Sequence, residues 1–210
     1  VEDRCSAGLY LEMAETEPDA YAETRVDVVR ALSGVEGATW WRNLMPGRKE
    51  FPRRIDEFTT LGVYEVGSGF EAPQPLDGIR GEHFVRTPRP AQGRLSGKPT
   101  VGLELVLVSP TSPDTAQAFR DWADFLHIAE IAAASVPGFT MITPYENAGG
   151  GGPRYLHFYE MDTPDAEQAF QQMAPCTQAR IGGTPLWKEW VGHETLVIDY
   201  VNTFTRVGER

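Results

Sequence analysis

One order of elements runs through this chain twice, and that repetition limits what it can fold into more than any other feature. Gly8 to Met13 (GLYLEM) alternates, with Leu9, Leu11 and Met13 on one face and Tyr10 and Glu12 on the other, the period of a half-buried strand. Glu17-Pro18-Asp19 opens a helix, with Pro18 suited to its first turn. The helix runs through Tyr21, Val28, Val29 and Leu32 to a stop at Ser33-Gly34. Val35 to Ala38 leads into a short strand at Thr39-Trp40-Trp41, and a third strand follows at Thr60 to Val66 (TLGVYEV). In the second half Gly102 to Leu107 (GLELVL) matches the first strand, and Ser112-Pro113-Asp114 starts a longer helix. Val136-Pro137-Gly138-Phe139 stands where Val35 to Ala38 stood. Tyr155 to Met161 (YLHFYEM) repeats the third strand through the shared pairs Tyr64-Glu65 and Tyr159-Glu160. A β-α-β-β order read twice predicts an α+β fold of two related units, residues 1–99 and 100–210.

The units are not identical. Residues 67–99 are rich in Gly, Pro and Arg, and Pro73, Pro75, Pro88, Pro90 and Pro99 exclude a long helix there. An ordered connector with one edge strand near His83 to Arg86 is expected. The second unit instead continues into a helix over Asp165 to Met173 and closes on a strand, Thr195 to Phe204.

Composition narrows the class. With 210 residues, 41% of them apolar, the chain can bury a proper core. Its net charge of −11 repels phosphate backbones, which excludes nucleic acid as the expected partner. There is no apolar run long enough for a membrane span and no basic-then-apolar leader pattern, so a soluble, cytoplasmic protein is expected. Cys5 and Cys176 stand far apart and read as two unrelated thiols rather than a disulfide framework.

Two such units resemble the dimeric α+β barrel superfamily in its fused, tandem form, in which two ferredoxin-like units place their sheets face to face. The second unit resembles the EthD-like members, whose helix carries a pattern close to Trp-Tyr-Asp-x-x-His-Ile-Pro followed by Val-Pro-Gly-Phe. Here the residues are Trp122-Ala123-Asp124, His127-Ile128-Ala129 and Val136 to Phe139, with Ala123 and Ala129 in place of the tyrosine and the proline. The first helix has no histidine, so one pocket per chain is expected, in the second unit. The resemblance implies cofactor-free cyclases and monooxygenases, haem enzymes and members of other roles, so the fold does not choose the function.

The candidate chemistry gathers on that helix and the strand after it. At one hundred degrees per residue Phe119, Trp122, Leu126, Ala129 and Ala133 form a stripe with His127 at its border. Asp124 and Glu130, three residues to either side, can each set a carboxylate beside the imidazole, the arrangement of a general acid or base. On the strand Tyr155, His157 and Tyr159 share one face. The match of Leu156 and Phe158 to Leu61 and Val63 assigns the other face to helix packing, which turns the histidine and tyrosines into the barrel. The same rings also suit a barrel core without a ligand.

Ala148 to Pro153 (AGGGGP) lacks the Lys-Ser/Thr of a phosphate loop and reads as a hairpin loop, a candidate lid. The four histidines show no metal-binding spacing. The arginines of the connector are expected to pair with surface carboxylates. The leading expectation is a cofactor-independent cyclase, dehydratase or isomerase acting on a medium-sized aromatic or polyketide-like molecule. His127, Asp124 and Glu130 would be catalytic, and Trp122, Tyr155, His157 and Tyr159 would bind the substrate. No metal or other cofactor is expected; a homo-oligomer is allowed. A non-catalytic binder of small hydrophobic ligands, or an assembly protein, is the alternative reading. A haem or oxygen-using oxidoreductase is the third.

Overall fold

The computed structural model describes residues 6–74 and 76–210; Cys5 lies outside them. The strands are β1 (Gly8–Ala14), β2 (Val35–Asn43), β3 (Thr60–Val66), β4 (Ile79–Arg86), β5 (Gln92–Gly93), β6 (Gly102–Pro110), β7 (Phe139–Asn147), β8 (Tyr155–Met161) and β9 (Leu196–Glu209). The helices are α1 (18–30), α2 (113–133), α3 (Ala166–Ile181) and α4 (Leu186–Val191).

All strand pairs are antiparallel, and eight strands close on themselves in the order β4-β1-β3-β2-β9-β6-β8-β7, with β7 returning to β4. The barrel closes between the halves through β2 with β9 and β4 with β7. Short β5 pairs with β7 at Met141 and Ile142, beyond the reach of β4. The connector therefore contributes a full barrel strand and not merely an edge: β4 lies along the whole of β1, with Tyr10 opposite His83.

The halves share strand order and register. Gly8 stands opposite Val66 and Tyr10 opposite Tyr64, as Gly102 stands opposite Met161 and Glu104 opposite Tyr159. Each second strand carries a bulge near its start, between Val35 and Gly37 and between Phe139 and Met141. The first helix of each half contains one wider π turn, Ala22–Val26 in α1 and Ala123–His127 in α2.

Strand alternation sends Leu9, Leu11, Leu61, Val63, Leu103, Leu105, Leu156 and Phe158 to one shared cluster with Tyr200 and Phe204, and no residue of any helix belongs to it. That cluster fills the barrel. Phe58, from the loop after β2, stacks on Tyr200 and Phe204 with centroids 4.9 and 5.6 Å apart. Each such side chain contributes about 1.5–3 kcal/mol by leaving water. The opposite face of the same strands meets the helices: Tyr10 and Tyr64 pack with Tyr21, Val26 and Val29, and Tyr159 and Met161 pack with Ile128 and Ile131.

This reverses the sequence expectation for β8, which gives Leu156 and Phe158 to the helix and His157 to the barrel. Closure explains the reversal. The interior is walled by sheet and is mainly apolar, with its polar partners gathered around the Tyr200 hydroxyl at Glu57, Asn43 and Asn202. The outer face has helix termini, arginines and carboxylates nearby.

The first half shows what becomes of that outer face without a cavity. Tyr21 reaches over Gly62, and its hydroxyl lies 2.6 Å from that of Tyr64 and donates to Glu12 Oε2 at 2.9 Å. Arg25 completes the cluster on Glu12. Gly62 occupies the register position that His157 holds in the second half, each lying centrally on the third strand of its half, opposite Glu12 and Val106 respectively. A Cβ on Gly62 would overlap the Tyr21 hydroxyl. Gly62→Ala should therefore lower stability by roughly 1–3 kcal/mol, measured by denaturant unfolding; an unchanged midpoint would contradict this packing.

Candidate functional site

The π turn in α2 decides which residues of the helix face the sheet. The hundred-degree stripe extends through Leu126 and Ala129. The wider turn adds a residue, however, and the buried positions are Phe119, Ala123, Asp124, Ile128 and Ile131, with Phe125 exposed. Such turns recur at functional sites because they redirect side chains within an otherwise regular helix. Here the turn drives a carboxylate into the sheet.

Asp124 is buried, and its Oδ1 lies 3.0 Å from Nε2 of His157, which is also buried. The carboxylate therefore orients the histidine of the strand, not its own neighbour His127. Burying a charge demands compensation. Arg89 and Arg120 each bring Nε within 3.7 Å of Asp124 Oδ2, and Gln92 donates to the Asp124 main-chain carbonyl at 3.2 Å. Arg120 is held in turn by Glu146, 3.1 Å away. Arg89, expected to serve a surface carboxylate, thus reaches from the connector to the buried one, while also pairing with Asp121.

His127 points the other way. Its Nδ1 lies 3.0 Å from the Trp190 carbonyl, while Trp190 Nε1 donates to the His127 carbonyl at 3.1 Å. The imidazole stacks on the Trp190 ring, 5.1 Å between centroids, and leans on Trp122 at 4.9 Å. Enclosure in this aromatic wall pushes its pKa down to about 4 through loss of water, which the hydrogen bond to the Trp190 carbonyl offsets only in part. With a proton on Nδ1 for the carbonyl, the neutral ring keeps a lone pair on Nε2.

Between β6, β8 and β9 on one side and α2, α3 and α4 on the other lies a mainly apolar cavity of about 240 Å³. His127, His157, Trp122 and Tyr159 all line it. Three other expected residues do not, and Asp124 is one of them, set behind the cavity on His157. Tyr155 stacks on Phe119 at 5.7 Å beneath the Arg120 guanidinium, and Glu130 pairs with Arg180 at 2.9 Å. The glycine-rich loop between β7 and β8 borders a separate groove with Ser109 to Pro113, away from this cavity.

Glu104, which the sequence expectations leave out, lines the cavity, is buried, and has no hydrogen-bond partner for Oε2 among the described residues. Burial raises its pKa to about 8; Arg48 offsets part of the rise and Glu167 adds to it. The signal was present in GLELVL, where a lone acid interrupts a strand apolar on both faces, the mark of a strand covered on both sides. The aromatic wall from α4 was missed as well. Among the described residues no cluster of three or more His, Cys, Asp or Glu side chains could hold a metal ion.

No family model and no curated protein matches this chain. Solved structures do. An anthrone oxidase-like protein aligns over 98% of this chain and 95% of its own, with a TM-score of 0.56 and 17% identity. A protein of Fusobacterium nucleatum described as a monooxygenase aligns over 98% and 95%, with a TM-score of 0.54 and 7% identity. Chlorite dismutase of Candidatus Nitrospira defluvii aligns over 98% and 93%, with a TM-score of 0.51 and 10% identity. At such identities the likeness is one of fold, a closed antiparallel α+β barrel.

The two shifted groups act on stability in opposite senses. His127, usually near 6.5 and held near 4, costs stability as pH falls through that interval, since the unfolded chain takes the proton first. Glu104, usually near 4.5 and held near 8, costs stability as pH rises, since the unfolded chain releases the proton first. Above pH 6.5 only the Glu104 contribution of the two remains. Unfolding measured from pH 6.5 to 8 should show a decline of up to about 2 kcal/mol in the parent that is absent in Glu104→Gln; parallel curves would contradict the assignment.

Proposed function

We propose that the chain is a cofactor-independent acid-base enzyme of the cyclase, dehydratase or isomerase type, acting on a compact aromatic or polyketide-like molecule. In this reading it is two ferredoxin-like units fused in tandem, 1–99 and 100–210, with an EthD-like second unit that carries the site. The matching strand orders, bulges and π turns of the halves support the duplication. Filling of the equivalent space by Tyr21 in the first half supports a single working pocket.

The observation that carries the proposal is a buried carboxylate-imidazole pair opening onto an apolar cavity. With Nε2–H donated to Asp124, His157 keeps a lone pair on Nδ1. Asp124 fixes that tautomer and stabilises the imidazolium formed when Nδ1 takes a proton. His157 is thus the base and Asp124 its positioning residue. His127, neutral and weakly basic, accepts a hydrogen bond from a substrate hydroxyl through Nε2. Trp122 and Trp190 bind the rings, and apolar walls keep water from the carbanion.

The reaction this arrangement suits is removal of an acidic C–H proton next to a conjugated carbonyl. That step begins an aldol cyclisation or an isomerisation, and it also generates the carbanion that dioxygen can attack. The anthrone oxidase-like description of one structure with this fold supports a substrate of that kind, and the monooxygenase description of another supports the step with dioxygen. The apolar lining also favours a second reading, a binder of hydrophobic molecules that performs no reaction.

Anthrone, an aromatic ketone with an acidic C–H, separates them. Under anaerobic conditions in D₂O the protein should accelerate hydrogen-deuterium exchange at that carbon, followed by proton NMR. His157→Ala should reduce the acceleration by roughly 10²- to 10⁴-fold, and Asp124→Asn in the same direction. Binding of anthrone without accelerated exchange would leave the non-catalytic reading; acceleration that survives His157→Ala would remove His157 as base.

A further inference from the structure

Glu104 has no part in the proton abstraction just described, yet it is the polar group that the cavity leaves least satisfied. It is 1% exposed, and among the described residues its Oε2 has no hydrogen-bond partner. Its neighbours on the sheet are Tyr159 on β8 and Thr203 on β9. The charged groups that bear on it are Arg48 from the loop after β2 and Glu167 from α3. Arg48 is committed elsewhere, to Glu167 and to Glu50, and forms no ion pair with Glu104 among the described residues. A bare carboxylate in such a place would be costly to bury, whereas a neutral carboxyl group is tolerated and carries an O–H. His127 and His157 face the same space.

We infer that Glu104 is a binding residue for the carbonyl oxygen of a neutral aromatic ketone, its neutral carboxyl group donating a hydrogen bond to that oxygen in the cavity. The inference rests on the cavity reading above and names the ligand's polar handle. An acid of this kind selects against carboxylate ligands, which would meet a group able to ionise, and in favour of ketones and quinones, which bring an acceptor and no charge. If the ligand also loses a proton to His157, negative charge moves to the oxygen beside Glu104, and the same hydrogen bond strengthens without a second proton transfer.

A matched pair of ligands tests this. 9-Fluorenone and fluorene differ in one carbonyl oxygen, and fluorenone has no enolisable C–H, so the result is independent of His157 acting as a base. In equilibrium dialysis at pH 6.5 the full chain should bind fluorenone about tenfold more tightly than fluorene, the worth of one satisfied hydrogen bond to a buried donor. Glu104→Leu should bring the ratio close to one while fluorene binds as before. Glu104→Gln, which keeps an N–H donor, should retain part of the preference and guards against a fault in folding. At pH 9, where Glu104 has lost its proton, the preference of the parent should fall. An unchanged ratio in Glu104→Leu overturns the inference and leaves the acid-base proposal standing; failure of both ligands to bind overturns it together with the reading of the cavity as a site for aromatic rings.

Discussion

The structure depends on the two-residue period of its strands within a closed barrel. Closure turns one face of every strand away from any helix, so the interior is filled mainly by apolar side chains, and the polar tip it does hold, the Tyr200 hydroxyl, is met by Glu57, Asn43 and Asn202. Leu11, Leu61, Leu105 and Leu156 fill it with Phe84 and Phe204. The outer face, in the layer between sheet and helix, has arginines, carboxylates and main-chain carbonyls within reach of its polar side chains. The cavity, the two histidines and Glu104 all lie in that layer.

Within it, the halves have opposite solutions to the same geometry. In the first, Gly62 leaves room on β3, and Tyr21 fills it with a hydroxyl cluster closed by Glu12, Tyr64 and Arg25. In the second, the corresponding position is His157, and the π turn of α2 supplies Asp124 in place of a tyrosine ring. The space above β6 then stays open, bounded by Trp122, Trp190 and Phe170. The connector supports the arrangement through Arg89, which links the first half of the chain to the buried carboxylate of the second.

Much of the fold was legible. Alternation in GLYLEM and YLHFYEM and the repeated Tyr-Glu pair point to the strands, and proline marks the helix starts, but α3 runs past the expected end at Met173 to Ile181, and α4 follows where only turns are expected. What a single strand cannot reveal is which face turns inward, because both faces of β8 are buried and both carry aromatic rings. Tertiary closure decides that, and it turned His157 outward. The helix stripe failed for a local reason: a π turn shifts the phase by a residue, and no residue type at Ala123 to His127 announces it. The structure brings Trp122, His127, His157 and Tyr159 around one cavity, outside the sheet and not within the barrel, whereas Phe119 and Arg180 hold Tyr155 and Glu130 elsewhere. Asp124 was placed beside the wrong histidine, because the sequence shows the neighbour three residues away and not the strand packed across from it.

The account rests on the hydrogen bond between Asp124 and His157, and nitrogen-15 NMR of the imidazoles observes it directly. The prediction is a downfield proton attached to Nε2 of His157 that is lost or moves markedly upfield in Asp124→Asn, while the His127 ring signals stay in place. A proton resident on Nδ1 of His157, or an Nε2–H signal indifferent to Asp124→Asn, would contradict it.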